Sequence, residues 1–395
     1  MEIGSFDAAD ASLKFGAAAE EAALNTNVVV VGSLERLRDA KDCHKLQRVL
    51  EASPDKMQLI TSVARAMSAK KDGASARELY LLPEPVETDE RSGSVRRVCL
   101  IALPSACSRH NSPARPHALT SCLKGNAGPG SLTVVAMLDD PSLAFATGCA
   151  IVRAFPTWVA QSSTAAKMQS KKINVIFDAP DNEAIPEAEI AVLSWAARAI
   201  RFTARLVDVP CNILNTTEFV NQARVVHALL QSTLQARGEE ANAVSLEVIT
   251  GEDLAAQGFG GLYGVGKAAA HPPALAILKY YPPGTSAADQ ATIMVGKGIV
   301  YDTGGLSLKG KTGMPGMKKD MGGAGGLLGT FRAAVGAGVP KKPLYCLLCL
   351  AENAIGPLAT RPDDVHTFYS GLTVEINNTD AEGRLVLSDG LAFAA

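Results

Sequence analysis

The sequence predicts an α/β protein of two domains, a smaller amino-terminal α/β domain of residues 1–182 and a second α/β domain of residues 183–395 with a central mixed, largely parallel sheet. Short apolar runs of strand-like composition alternate with helical segments along the chain. With 395 residues, 47% of them hydrophobic and 20% charged, the chain is long and apolar enough to bury two cores. Acidic segments follow two of the later strands, where open α/β sheets usually place ligands.

Four apolar runs predict the strands of the amino-terminal domain. They lie at residues 28–31, 98–103, 132–137 and 173–177. Each is short and rich in Val, Ile and Leu, and helical or loop material separates it from the next. We therefore expect an α/β module that ends at residue 182.

The second domain is predicted to begin with a helix after Pro186, because proline favours the first turn of a helix. Apolar residues then recur at steps of three and four: Ile190, Leu193, Ala197 and Ile200. Further strands are predicted at 246–249, 274–281, 292–295 and 344–350, and helices at about 217–236 and 318–336. Apolar strands alternating with helices predict the mixed, largely parallel sheet.

Composition argues against several classes of partner. The net charge of −2 and the pI of about 6.3 provide no overall positive field, so neither nucleic acid nor a membrane surface is expected as a partner. No window of about eighteen apolar residues predicts a membrane-spanning helix. No secretory leader precedes the eight cysteines, so we expect reduced thiols and a cytoplasmic protein.

The first acidic segment is glycine-rich and covers residues 296–305. It contains Lys297 and Asp302, and Lys309 and Asp320 follow it. The second acidic segment, residues 378–384, reads Asn-Thr-Asp-Ala-Glu-Gly-Arg. The two segments together carry enough oxygen ligands for two cations.

In the second segment Asp380, Glu382 and Arg384 occupy alternate positions. An extended backbone would project all three side chains from one face, which predicts a metal site with an anion clamp beside it. Carboxylates of this kind can bridge two cations about 3.5 to 4 Å apart. No histidine takes part, so an oxygen-rich site for two divalent ions, zinc or manganese, is predicted.

Lys297 is the unusual member of the first segment, because only a neutral amine can coordinate a metal. Nearby divalent charge would have to lower its pKa strongly. We expect the flanking glycines to let the backbone approach the ions closely.

Other interpretations of these segments remain open at this stage. The charges could form a solvated surface face. Residues 300–304 resemble an aspartic-protease nucleus, but no second copy exists. Residues 261–268 match a phosphate-binding loop except at the last position, and we interpret them as a glycine-rich turn. Cys346 and Cys349 are interpreted as buried thiols. No catalytic role is assigned to the nearest histidines, His271 and His366.

Several long segments resemble the leucyl (cytosol) aminopeptidase family, and most closely its aminopeptidase-like 1 branch. The resemblance is carried by residues 258–267, 295–323 and 349–387, with a further match at 108–113. It implies a metal-dependent aminopeptidase that removes the amino-terminal residue from small peptides. It also implies a family domain that continues beyond residue 395, so we expect a chain truncated at its carboxyl end.

The resemblance implies a role for each matched site residue. One ion would be held by Lys297, Asp302, Asp320 and Glu382, and the other by Asp302, Asp380 and Glu382. Lys309 matches the catalytic lysine, Arg384 matches a catalytic arginine that holds bicarbonate, and Met317 matches a residue of the substrate pocket.

In the mechanism we expect, a hydroxide bridging two divalent cations attacks the peptide carbonyl while Lys309 stabilises the oxyanion. The resemblance also implies a homo-oligomer, a hexamer as in the family. The alternative is a non-catalytic metal-binding scaffold subunit of an aminopeptidase-like assembly.

Overall fold

A computed structural model describes residues 12–16, 27–82, 95–107, 112–156 and 171–395. The start of the chain, where a leader was sought, and residues 108–111 of the resemblance lie outside these ranges. The chain divides into two compact units, one within Ser5–Arg201 and the other Phe202–Ala395. This division falls inside a long helix, whereas the sequence predicts a junction between residues 182 and 183. That junction stays a prediction.

The described part of the first unit contains a six-stranded sheet. Its strands are β1 (Leu13–Phe15), β2 (Asn27–Gly32), β3 (Ser75–Leu81), β4 (Arg96–Ala102), β5 (Leu132–Met137) and β6 (Ile173–Asp178). Their order is β1-β6-β5-β2-β4-β3, and every neighbouring pair is parallel except β3 with β4. The four predicted strands are confirmed. They are the apolar strands β2, β4, β5 and β6. A separate cluster of buried side chains packs on each face of the sheet.

Short helices accompany this sheet. They are α1 (Leu34–Arg38), α2 (His44–Leu50), α3 (Pro54–Arg65), α4 (Pro116–Asn126) and α5 (Ala144–Arg153). The helix predicted after Pro186 is confirmed as α6 (Glu187–Asp208). The α/β class is therefore confirmed.

The second unit contains a four-stranded sheet and a small hairpin. Its strands are β7 (Val244–Thr250), β8 (Ala274–Tyr280), β9 (Thr292–Asp302), β10 (Leu344–Asn353), β11 (Val365–Thr367) and β12 (Thr373–Glu375). Its helices are α7 (Thr216–Ala236), α8 (Glu252–Ala256), α9 (Gly260–Gly266), α10 (Gly322–Gly336) and α11 (Glu382–Ala394). A 3-10 turn, Met317–Met321, precedes α10 where the sequence predicted the start of the helix.

The larger sheet has the order β7-β8-β10-β9 and is mixed, as predicted. Only β9 and β10 pair in parallel, while β7 with β8 and β8 with β10 are antiparallel. The predicted predominance of parallel pairing is therefore not found among the described strands. A strand buried on both faces is continuously apolar in either direction, so its composition does not reveal its pairing.

The glycine-rich stretch interpreted as a turn is instead the helix α9. A Cβ on Gly260 would lie 2.0 Å from the Thr367 carbonyl oxygen. The helix can therefore approach the hairpin this closely only because residue 260 has no side chain. The fully buried carboxylate of Asp389 accepts the Leu262 N–H at 2.8 Å within the first turn of α9. The glycines thus serve close packing rather than phosphate binding.

None of the helices in the described ranges combines the length and the apolar character needed to span a bilayer.

Candidate metal centre

The site begins at the carboxyl ends of the parallel strands β9 and β10. Lys297 pairs in register with Cys349, and Asp302 pairs with Asn353. Lys297 and Asp302 are thus five positions apart on β9, whereas their partners Cys349 and Asn353 are only four positions apart on β10. β9 therefore contains one extra residue, a bulge. In a regular strand, an odd separation would put Lys297 and Asp302 on opposite faces. The bulge restores them to the same face.

Lys297 joins two carboxylates from other elements. Its Nζ lies 2.9 Å from Asp320 Oδ2, on the 3-10 turn, and 2.7 Å from Glu382 Oε1, on the first residue of α11. Gly383 follows, and a Cβ there would lie 2.7 Å from Lys297 Cε. The absence of a side chain at this position therefore makes room for the lysine beside Glu382.

Lys309 joins the other two acidic residues. Its Nζ lies 2.8 Å from Asp302 Oδ2 and also contacts Asp380 Oδ1. Asp380 sits in a 3-10 turn, Thr379–Ala381, immediately before α11. Each ammonium group thus lies between two carboxylates, and four carboxylates share two lysines.

Asp302 is 2% exposed, and its orientation is set by hydrogen bonds to Oδ1. The Gly304 N–H donates to that oxygen at 2.9 Å, and Asn353 Nδ2 donates at 2.8 Å. Asn353 was part of the resemblance, but sequence reasoning assigned it no role. An amide at the end of β10, beside an acidic residue at the end of β9, was the signal that could have identified it.

Burial and neighbouring charge shift the pKa values in this cluster. Partial burial opposes the charge on Lys297, but hydrogen bonds to Glu382 and Asp320 outweigh it and raise the pKa of the amine. For Lys309 burial again opposes the charge, and Asp302 and Asp380 raise its pKa well above the ordinary range. Burial raises the pKa of Glu382, although its contact with Lys297 acts in the opposite direction.

The donor set fits a metal ion. One carboxylate oxygen from each of Asp302, Asp320 and Glu382 can be chosen so that all three lie within 4.8 Å of one another. The second oxygen of Glu382, Oε2, is buried and has no hydrogen-bond partner among the described residues. A buried carboxylate oxygen without a partner is costly, and a coordinated cation would remove that cost.

One expectation about local geometry is wrong. The segment carrying Asp380, Glu382 and Arg384 is not extended but forms the 3-10 turn and the start of α11, because the Asn378 side chain accepts the Asp380 N–H at 2.9 Å. Gly296, beside Lys297, has a role in helix packing, since a Cβ there would lie 2.8 Å from Ala324 Cα; close approach of this backbone to the ions stays a prediction.

The remaining predicted residues lie on the elements that carry the cluster or elsewhere in the second unit. Arg384 is in the first turn of α11 with an exposed side chain, and Met317 is half-buried at the start of the turn that carries Asp320. His366 contacts Thr360 Oγ1 at 3.1 Å and packs beside Gly264. Neither of these contacts involves a carboxylate of the cluster. Cys346 and Cys349 are buried, as predicted.

Two family models match the chain. Residues 201–395 match the catalytic domain of the cytosol aminopeptidase family, and residues 26–164 match the M17 aminopeptidase N-terminal domain 2. "Probable aminopeptidase NPEPL1" of Homo sapiens is 46% identical over 312 residues, which cover 78% of this chain and 57% of that protein. "Leucine aminopeptidase 1" of Caenorhabditis elegans is 40% identical over 298 residues, 75% of this chain and 56% of that protein. The chain thus spans less than two thirds of these relatives.

Solved structures give the same assignment. The leucine aminopeptidase of Caenorhabditis elegans superposes with a TM-score of 0.75 at 32% identity, over 93% of this chain and 68% of that one. The leucyl aminopeptidase of Trypanosoma brucei in complex with bestatin superposes with a TM-score of 0.74 at 32% identity, over 98% and 71%. From its sequence matches and its fold, the chain belongs to the cytosol aminopeptidase family.

Proposed function

We propose that this chain is a metal-dependent aminopeptidase that hydrolyses the amino-terminal residue from small peptides. The observation that carries the proposal is the convergence of Asp302, Asp320 and Glu382, with a buried Glu382 oxygen that has no partner in the described structure. An acidic cluster with two buried members, at the carboxyl end of β9, fits cation chemistry better than a solvated surface. Family membership supplies the reaction class.

The residues that would hold two divalent cations, zinc or manganese, are Lys297, Asp302, Asp320, Asp380 and Glu382. When bound, such cations polarise a peptide carbonyl and lower the pKa of a coordinated water towards neutrality. Asp302 and Glu382 would each contribute a carboxylate to holding the cations, and both are almost fully buried.

Lys297 must lose its proton before it can donate an electron pair to a cation. The contacts with Glu382 and Asp320 hold the proton on the amine, so cations compete with it for the same two carboxylates. Cation binding at this position therefore releases a proton.

In the metal-free chain Asp302 and Asp380 raise the pKa of Lys309 above the ordinary range, so its amine carries a proton there. Its ammonium group can then donate a hydrogen bond to the peptide carbonyl oxygen as negative charge develops there. Arg384, exposed on the first turn of α11, is free to hold a bicarbonate ion for proton transfer. Met317 would form part of the apolar wall of the substrate pocket.

Location and assembly are part of the same proposal. We place the protein in the cytoplasm, which the four buried thiols Cys43, Cys99, Cys346 and Cys349 support. Two relatives, from strains of Pseudomonas fluorescens, are named "Probable cytosol aminopeptidase". We also propose a homo-oligomer, a hexamer by resemblance to the family, and light scattering after size exclusion measures its mass.

The test is hydrolysis of leucyl-amide by the chain after chelation and the addition of manganese or zinc. Activity should return with the metal and stay absent in Glu382→Ala. A peptide with a free amino terminus should be cleaved far faster than its N-acetylated counterpart, because a free amine can occupy a cation's open position. Comparable cleavage of both peptides would contradict an aminopeptidase. Saturable metal binding without hydrolysis would favour the non-catalytic scaffold.

A further inference from the structure

We propose that Asn353 is a positioning residue for the cation site, holding the Asp302 carboxylate so that its Oδ2 faces the cations. The identity of the site rests on the proposed function, but the inference concerns cation binding rather than hydrolysis. It can therefore be tested separately.

The amide of Asn353 is committed to two hydrogen bonds. Nδ2 donates to Asp302 Oδ1 at 2.8 Å and to the Thr379 carbonyl oxygen at 3.0 Å. An amide nitrogen carries two N–H groups, so both are used. The residue is 5% exposed, and water competes little for these donors.

These contacts decide which oxygen of Asp302 remains available. Oδ1 accepts from Asn353 and from the Gly304 N–H, which occupies its two lone pairs. Oδ2 lies 2.8 Å from Lys309 Nζ and is the oxygen left to contact a cation. The carboxylate cannot rotate without breaking both hydrogen bonds to Oδ1.

Asn353 also links the two ligand-bearing segments. Its bond to the Thr379 carbonyl ties the end of β10 to the 3-10 turn that carries Asp380 and leads into Glu382. The Thr379 hydroxyl donates to the Gly304 carbonyl at 2.7 Å, which closes the connection on the Asp302 side. One amide thus fixes the spacing between carboxylates that arrive from distant parts of the chain.

The backbone of Asn353 is itself held in place. Its carbonyl oxygen accepts the Thr303 hydroxyl at 2.6 Å and the Thr303 N–H at 3.2 Å. The amide is therefore aimed from a rigid strand end, which is what a positioning role requires. Partners of metal ligands of this kind are typically worth about 10-fold to 100-fold in metal affinity.

The test is calorimetric titration of Mn²⁺ into the metal-free 395-residue chain and its variants. Asn353→Ala should bind Mn²⁺ about 10-fold to 100-fold more weakly than the unmodified chain. Thr360→Val is the matched control, because it removes a buried hydroxyl that donates to the Gly264 carbonyl at 2.7 Å. It should lose stability but keep its Mn²⁺ affinity.

A double-mutant cycle with Asp302→Ala separates positioning from general loosening of the fold, because alanine removes the oxygen that accepts the Asn353 N–H. If Asn353 acts through Asp302, adding Asn353→Ala to Asp302→Ala should weaken Mn²⁺ binding by less than about threefold. Asn353→Leu, which keeps the volume of the side chain, serves where the alanine variant does not fold.

Mn²⁺ affinity unchanged by either substitution at 353, or an equal loss in both backgrounds, would overturn the proposal. So would a lack of saturable Mn²⁺ binding by the unmodified chain. If that chain binds Mn²⁺ but does not hydrolyse leucyl-amide, the proposed function fails while the role of Asn353 stands or falls on the titrations.

Discussion

Replacing Gly383 with alanine should weaken the cation site without weakening the fold. Gly383 is the second residue of α11, and alanine there improves helix propensity by up to about 1 kcal/mol. The new Cβ would lie 2.7 Å from Lys297 Cε and 2.9 Å from its Nζ. Since the obstacle is the far end of a flexible side chain, the lysine can move at little cost to folding.

The size of that movement sets the expected effect. Ordinary contact begins at 3.4–4 Å, so the end of the Lys297 side chain must shift by about 1 Å from the position in which it contacts Glu382. A displacement of about 1 Å at a reacting centre can cost about 100-fold in rate. We therefore expect Gly383→Ala to hydrolyse leucyl-amide about 100-fold more slowly, with weaker Mn²⁺ binding, while its thermal midpoint is unchanged or higher.

Gly326→Ala is the control for this experiment. Gly326 lies inside α10, and a Cβ there meets nothing within 4 Å. It should gain helix propensity and leave both Mn²⁺ affinity and hydrolysis unchanged. Unchanged Mn²⁺ affinity and rate in Gly383→Ala would refute the reasoning, since the lysine would then not need its observed position.

Three further outcomes follow from the pKa shifts. Because the neighbouring carboxylates, working against burial, raise the pKa of Lys297, Mn²⁺ affinity should rise with pH below that pKa, by up to about tenfold per pH unit; a flat profile between pH 6.5 and 8.5 would contradict proton release. Burial raises the pKa of Glu382, so the protonated carboxyl favours the folded state. This stabilisation is lost as pH rises through the pKa of Glu382 in the folded chain. Metal-free Glu382→Gln should therefore melt no lower than the unmodified chain at pH 7.5, and a clear fall would count against this account. Burial raises the pKa of Cys349 to about 12 and that of Cys346 further, so mass spectrometry should find neither alkylated by iodoacetamide at pH 8 before unfolding; rapid labelling of the native chain would show that they are accessible.

The central strands were predictable because they are apolar on both faces, as in β5, where every residue is buried. Four short or polar strands were missed for the opposite reason: β1, β3, β11 and β12. β3 alternates polar residues along a half-exposed edge, and β1 has three residues. Local composition thus predicts the buried interior of a sheet better than its edges.

The site was predictable in its residue types and less so in its geometry. Carboxylates spaced among glycines after strands indicated cations, and three of them do converge. The sequence did not reveal that Asn378 would cap a turn and start a helix at Glu382, although Asn before Thr-Asp is a turn signal. Asn353 was missed because its importance comes from its neighbour Asp302 on another strand rather than from its own segment.

The extra residue in β9 makes the length of that strand a functional property. Lys297 and Asp302 share a face only because the strand carries one residue more than its partner between them. Most substitutions at the apolar positions in between should alter packing alone. Deleting one of those residues would instead turn Asp302 to the other side of the sheet while Lys297 kept its place. Insertions and deletions in this stretch should therefore damage the cation site far more than changes of side chain do.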